Sequence, residues 1–493
     1  MKAIMVMFDS LNRNYLECYG GKLAKTPNFN RLAQNSVVFE NCYAGSLPCM
    51  PARRELHTGR TNFLHRSWGP IEPFDLSMPQ ILDEHGIHSH LASDHTHYWE
   101  DGGSTYHTRY STWEGFRGQE GDPWKGIAGD FPDTDPNLIR HEGYRGKLYR
   151  QDNINRTYLQ EESCHPQVRT FKAGMEFIEE NKDRDNWFVQ IETFDPHEPF
   201  FCYDRFKKLY PRQYRGKRFD WPDYAPVNQT EEEIMEARYE YAALLSMCDE
   251  QLGKVLDQMD RYGLWEDTLL IVNTDHGYLL GDHGYWAKNY MPLYQEIVNT
   301  PLFIYDPRCG KKGERRKALV QTVDLPATIL SFFGIPVPQR MTGFDLQDTV
   351  REDKKVRQGA LFGIHGAHVC VTDGHYVYMR APVNKENKPL YEYTWMPSHM
   401  VGFFDREELK KAEMGEGTAF SDFIPVPKIP AECYIEAFDY GNLLFDLEKD
   451  PKQEHPVQDR ETEERLSRLM TDLMKREDAP AEQYIRLGLE EYL

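Results

Sequence analysis

The chain has 493 residues, 28% of them charged, with 58 lysines and arginines against 79 aspartates and glutamates. A net charge of -21 argues against nucleic acid as a partner, because the phosphate backbone would be repelled. The length exceeds what one compact core holds, so two domains are expected, and no apolar run reaches the roughly 18 residues of a membrane span.

The N-terminus runs from Met1 through an apolar stretch to Phe8 and straight into Asp9-Ser10. That is too short and too quickly acidic for a secretory signal, and residues 3–8 instead read as a strand buried on both faces. The nine cysteines are odd in number and scattered without CxxC or zinc-type spacing, the usage of reduced thiols, so a cytoplasmic protein is expected. Next comes Leu47-Pro48-Cys49-Met50-Pro51-Ala52-Arg53, running on to Thr58-Gly59-Arg60. Pro51 suits the first helical position and Gly59 the C-terminal cap, which places Cys49 at a helix N-terminus, where free N–H groups and partial positive charge collect. Arg53 lies one turn on, able to pair with an anion met by Cys49 and to stabilise the ionised side chain. Such a segment describes a nucleophile beside an anion hole.

Three further apolar runs end in polar clusters: His90–Ala92 before Asp94-His95, Trp187–Ile191 before Asp195-Pro196-His197, and Leu269–Val272 before Asp275-His276. A helical pattern over Glu233–Tyr262, stopped by Gly263, lies among them, so strands and helices alternate as in a mostly parallel sheet flanked by helices. In such sheets ligands bind beyond the C-terminal strand ends, where these clusters sit. Trp99–His165 and Glu198–Thr230 read as long irregular segments, the form of lids or binding loops. The second carries Arg205, Lys207, Lys208, Arg212, Arg215, Lys217 and Arg218, either a dock for an anionic substrate or, as charge runs usually are, a solvated face or a homo-oligomer contact. From Arg351 the pattern changes to alternating runs such as His375–Met379 and Leu443–Asp446, closed by a charged helix over Thr462–Arg476. A catalytic domain over 1–350 and a smaller C-terminal subdomain with an antiparallel sheet over 351–493 are therefore expected.

The Cys-x-Pro-Ala-Arg spacing followed by Thr-Gly-Arg resembles the signature of type I sulfatases of the alkaline phosphatase superfamily, in which that cysteine is oxidised to formylglycine. The resemblance extends along the chain in order. Asp9, Asp275 and His276 match the family's metal-holding positions, with Cys49 facing the ion; Ser10 replaces the usual second aspartate and leaves the fourth protein ligand open. Asp195-Pro196-His197-Glu198-Pro199 is similar to the segment whose histidine contacts the ester oxygen. Gly281–Lys288 is similar to the one supplying an active-site lysine, and Asn442–Pro451 to the family's last strand and turn. His65-Arg66-Ser67-Trp68-Gly69 and Asp94-His95-Thr96-His97 look closer to the phosphonate monoester hydrolase branch, and make Arg66, His95 and His97 candidates for gripping the substrate. His365 and His368 are candidates to reach the pocket from the C-terminal part.

What the resemblance implies is an alkaline-phosphatase-like α/β fold and hydrolysis of a sulfate monoester by a formylglycine hydrate at position 49, after maturation by a formylglycine-generating enzyme. Cys49, Arg53, His197 and Lys288 are the implied catalytic residues. The implied ion is calcium first, with manganese or zinc second because His276 is a softer ligand. A sulfated mono- or oligosaccharide is the expected substrate, from loops holding Trp99, Trp113, Trp124, Tyr144, Tyr149 and Trp395. Two rivals stand beside this reading: a phosphonate monoester hydrolase or phosphodiesterase with the same nucleophile, and a non-catalytic anion-binding protein with unmodified Cys49.

Overall fold

The computed structural model describes residues 1–129 and 143–493, with the backbone alone at residue 144. Its centre is an eight-stranded sheet in the order Glu314–Arg316, Val37–Phe39, Leu302–Tyr305, Thr268–Thr274, Lys2–Phe8, Trp187–Thr193, His88–Ser93, Thr112–Gly115. Leu302–Tyr305 runs antiparallel to both its neighbours, and the other pairs are parallel. Lys2–Phe8 is apolar without alternation because both its faces are covered. Ile4, Val6 and Phe8 pack with Trp187, Val189 and Ile191 under the long helix Glu231–Arg261, while Ala3, Met5 and Met7 join Phe188, Leu269 and Ile271 on the other face.

Register carries this packing into the site. Phe8 is level with Thr193 on one side and Thr274 on the other, so the residues that follow, Asp9, Phe194 and Asp275, leave the sheet together at the C-terminal edge. The long helix is fixed by a capping box between Thr230 and Glu233, with three glutamates in its first turn favoured by the helix dipole.

The C-terminal part holds a five-stranded sheet in the order Leu443–Asp446, Tyr376–Arg380, Val369–Thr372, Ala360–Ile364, Ser46–Leu47. The first four are antiparallel, as expected, and helix Arg460–Arg476 covers them through Leu466, Met470 and Met474. The fifth strand comes from far earlier in the chain and is parallel to Ala360–Ile364; it leads directly into the cysteine segment. Among the described residues no helix is long and apolar enough to cross a membrane.

Two sequence expectations change. The stretch Trp99–His165 contains a helix, Gly143–Arg156. Its Arg156 pairs with Asp152 one turn back and with Asp220 outside the helix, and Tyr149 and Ile154 are buried. Of the two readings given for the basic run, the anion dock loses three residues to ion pairs, Arg205 with Glu162 and Glu250, Lys207 with Glu240, and Arg212 with Glu236 and Glu240.

Candidate active site

The helix carrying Cys49 runs Cys49–Thr58 and ends at Gly59, whose φ of 60° suits a residue without a side chain. Cys49 is its first residue, so Pro51 sits third rather than first; the missing N–H still falls in the unbonded first turn. Cys49 Sγ lies 3.4 Å from His276 Nε2 and 3.9 Å from Asp9 Oδ1. Asp9, Cys49, Asp275 and His276 are all buried, and each offers a ligand atom within 4.8 Å of the others. Two carboxylates, an imidazole and the group at position 49 suit a divalent cation.

Arg53 is completely buried and engaged in every direction. Nη2 donates to Asp9 Oδ2 at 3.0 Å, Nη1 to Asp275 Oδ2 at 2.7 Å and to the Cys49 carbonyl at 3.0 Å, and Nε to Glu192 Oε1 at 2.6 Å. Its charge is therefore shared among three carboxylates, and although it favours an ionised Cys49, as expected, burial outweighs it. Burial and the nearby Asp9 carboxylate push the Cys49 thiol well up, and Lys288 and Arg53 do not offset them. Charge also frames the ion site. Burial pushes Asp9 up, but Lys288 and Arg53 hold it well below the usual carboxylate range, while burial and Asp9 push Asp275 up to about 8. Asp9, Asp275 and Glu192 gather around Arg53, with Lys288 close to Asp9, and a bound cation would favour the ionised form of Asp275.

Lys288 Nζ donates to Ser10 Oγ at 2.9 Å and lies 3.8 Å from Asp9 Oδ1. Ser10 Oγ in turn donates to Asp9 Oδ1 at 2.8 Å, and its N–H to Asp275 Oδ1 at 3.2 Å. The substituted position thus orients both carboxylates. His276 donates its N–H to Asp275 Oδ1 at 2.7 Å, and Gly277 allows the chain to pass, since a Cβ there would lie 1.9 Å from the Glu296 carbonyl. Gly277→Ala is expected to destabilise by ~1–3 kcal/mol through overpacking, read as a lower urea midpoint with unchanged slope.

Above this floor opens a cavity of about 890 Å³ whose wall includes Cys49, His197, Lys288, His97, Trp68 and Trp99. His95 stands behind the wall, buried, with Nδ1 3.8 Å from Asp9 Oδ2 and neither ring nitrogen hydrogen-bonded. Arg66, His365 and His368 are not brought to the cavity. Arg66 donates to the Met396 and Ser398 carbonyls at 2.9 Å each, His365 Nδ1 bonds the Phe63 carbonyl and His368 Nε2 the Gly441 carbonyl. They clamp C-terminal loops instead. Of the aromatic residues expected to meet a sugar, Trp99 lines the cavity; Tyr149 stacks on Trp221, Trp124 packs edge-on to Tyr158, and the Tyr144 side chain falls outside the described residues.

Sequence reading missed Glu192, Tyr98, Glu120 and Tyr224. Glu192 Oε2 accepts the Tyr98 hydroxyl at 2.9 Å while Oε1 takes Arg53. Its signal was present: Gln190 and Glu192 are polar residues within a strand buried along its whole length.

Fold and site together suit a hydrolase of charged tetrahedral esters, with a cysteine at a helix N-terminus beside a candidate cation site. Comparison with known proteins narrows that class. Residues 2–335 match the family model described as Sulfatase, and residues 281–413 the one described as N-sulphoglucosamine sulphohydrolase, C-terminal. An arylsulfatase of Clostridium perfringens is 23% identical over 430 residues, covering 79% of this chain and 85% of its own. An N-acetylglucosamine-6-O-sulfatase of Bacteroides thetaiotaomicron is 24% identical over 410 residues, 71% of each. The solved structure of BT4656 in complex with D-glucosamine-2-N,6-O-disulfate superposes with a TM-score of 0.66 at 16% identity, over 97% of this chain and 98% of that one. The chain belongs to the sulfatase family of the alkaline phosphatase superfamily and is a sulfuric ester hydrolase.

Proposed function

We propose that the protein hydrolyses a sulfate monoester of a small sulfated sugar, with residue 49 oxidised to formylglycine and a divalent cation held by Asp9, Asp275, His276 and residue 49. The observation that carries this reading is the position of Cys49, in the first turn of its helix, in the cavity wall and in contact distance of His276. The sugar is supported by the names of the N-acetylglucosamine-6-O-sulfatase and of the disulfated glucosamine complex, and by the indole rings of Trp68 and Trp99 in the wall.

As formylglycine hydrate, residue 49 would supply two geminal hydroxyls, one the nucleophile toward sulfur and one whose deprotonation releases sulfate as the aldehyde returns. The cation would add fixed positive charge for the sulfuryl oxygens; calcium is the first choice, manganese or zinc the second. A formylglycine-generating enzyme is the implied maturation partner. Arg53 holds Asp9 and Asp275 in place and so acts on the substrate through the ion site. Lys288 remains charged: burial opposes its proton, but Cys49, Asp9 and Glu198 raise it above the usual lysine range, so it binds a sulfuryl oxygen. His197 is held well below the usual histidine range by burial and by Lys288, and its Nδ1 proton goes to the Glu198 carbonyl at 2.7 Å. Nε2 is left for the leaving-group oxygen, and an anionic sulfate beside it raises its proton affinity. His197 is thus the first candidate proton donor and Lys288 the second; His97 in the wall is the retained substrate contact. For the chain's organisation we keep a catalytic domain over 1–350 and a subdomain over 351–493 that completes the pocket. The two share packed cores, such as Tyr43 and Leu47 with Phe362 and Val377. A cytoplasmic location is proposed from cysteine usage.

The test is a comparison of kcat/KM on 4-nitrophenyl sulfate and on 4-nitrophenyl phenylphosphonate with the matured, metal-loaded enzyme. The sulfate is expected to dominate, to be lost on chelation and to return with calcium. Dominance of the phosphonate would hand the assignment to the phosphonate hydrolase reading.

A further inference from the structure

On the His197 side of the cavity Glu120 lines the wall, and the fully buried Glu198 lies next to it and to His197. Glu120, Glu198 and His197 each offer an atom within 4.8 Å of the others. Glu198 is fully buried, and its Oε2 lies 3.2 Å from His197 Nδ1, but that nitrogen's proton is already given to the Glu198 carbonyl. Burial pushes the Glu198 carboxyl up against the opposing pull of Lys288 and the Tyr224 hydroxyl, and neither Glu198 oxygen reaches hydrogen-bond geometry with any described group. An acceptor buried in this way is costly unless a donor arrives.

Among the described residues the nearby cations have closer partners, Arg145 with Asp223, although Lys288 and Arg145 still draw Glu198 toward its ionised form. His97 gives Nδ1 to Glu100 at 2.6 Å and keeps only a 3.5 Å approach from Nε2 to Glu120. Arg117 is bound by Asp122, Lys288 faces Ser10 and Asp9, and Lys147 lies exposed at the rim. Burial accordingly pushes Glu120 up to about 8, with Glu198 and Glu100 adding to the effect. Trp68, Trp99 and Tyr224 line the same space, and ring faces attract cations.

We infer that this subsite takes a primary ammonium group, so that the favoured substrate is a sulfate ester bearing a free amine a few bonds from the ester oxygen. The inference rests on the sulfatase reading above, with His197 toward the leaving group. A primary ammonium brings three N–H donors for Glu120 in the wall and for Glu198, which has an oxygen within 4.8 Å of Glu120; a quaternary ammonium brings charge without donors. An acetylated amine brings neither the charge nor enough donors. The subsite therefore selects among amino-bearing esters by hydrogen bonding as well as by charge.

The experiment measures kcat/KM of the matured, metal-loaded enzyme on 2-aminoethyl sulfate and 3-aminopropyl sulfate, against ethyl and propyl sulfate, N-acetyl-2-aminoethyl sulfate and the trimethylammonium analogue. The better amino ester is expected to exceed its uncharged counterpart roughly tenfold to hundredfold, as one or two charge-assisted hydrogen bonds allow. That ratio is expected to fall toward one in both Glu120→Gln and Glu198→Gln. A role of Glu198 confined to orienting His197 would slow every ester alike and leave the ratio intact, which overturns the inference, as does equal preference for the trimethylammonium ester. If 4-nitrophenyl sulfate is hydrolysed but no amino ester is preferred, the subsite fails and the sulfatase reading stands. If no sulfate ester is turned over, that reading fails and the subsite falls with it.

Discussion

Cys49→Ala is expected to abolish sulfate ester turnover, lowering kcat by ~10⁴ or more, as loss of a covalent nucleophile does. The hydroxyls beside it are otherwise engaged: Ser10 Oγ is held between Asp9 and Lys288, and Thr274 Oγ1 bonds Asp275 at 3.3 Å. Cys49→Ser separates the chemical steps further. A serine forms the sulfate ester but has no second hydroxyl to expel it, so one equivalent of alcohol should be released in a burst and the sulfated enzyme should accumulate. The peptide mass of the wild-type chain is the companion measurement, with a loss of ~18 Da at residue 49 marking exchange of thiol for aldehyde. Unchanged turnover in Cys49→Ala would remove the nucleophile from the mechanism and leave the anion-binding reading in front.

The largest effect on stability is expected from Arg53→Met. The guanidinium is the common partner of Asp9, Asp275 and Glu192, all fully buried, and a methionine of similar length leaves three carboxylates facing one another. Removing one partner of a buried ion pair costs about 3–5 kcal/mol, because the remaining charge is stranded without water. The variant should therefore unfold at a clearly lower urea midpoint than wild type. A divalent cation supplies part of the missing charge, so the deficit is expected to be larger after chelation than with metal present. Arg53→Lys tests geometry: one ammonium cannot span three carboxylates in a plane, and an intermediate midpoint is expected. Equal stability of wild type and Arg53→Met, with and without metal, would show that these acids are neutral and that the charge balance drawn for the site is wrong.

How much of this was legible in the sequence depends on the range of the physics involved. The short apolar runs ending in Asp9, His197 and Asp275 were readable because a strand buried on both faces leaves an unbroken apolar signature. The Cys49 helix was readable because its N-terminal prolines and C-terminal glycine act locally. Resemblance placed Lys288 and His276 in order along the chain, and the fold brings both to the Cys49 floor. Glu192 could have been found, since a carboxylate in a buried strand needs a partner, but the partner's identity could not.

The sequence by itself therefore determined the alternation of strands and helices, the antiparallel C-terminal sheet and the identity of the residues at the strand ends. Only the tertiary structure decided what those residues do to one another. Arg53 was free on paper to meet an anion; folding seats it among three acids, while burial pushes the Cys49 thiol well up. Arg66 and His365 sit in motifs that look like substrate contacts, and folding turns both onto backbone carbonyls. Glu120 and Glu198 are 78 positions apart, and only folding brings them within 4.8 Å of one another beside His197. The physical reason is the same in each case. Propensity and burial patterns act over a few residues of chain, whereas charge, desolvation and hydrogen bonding depend on neighbours that the sequence does not order.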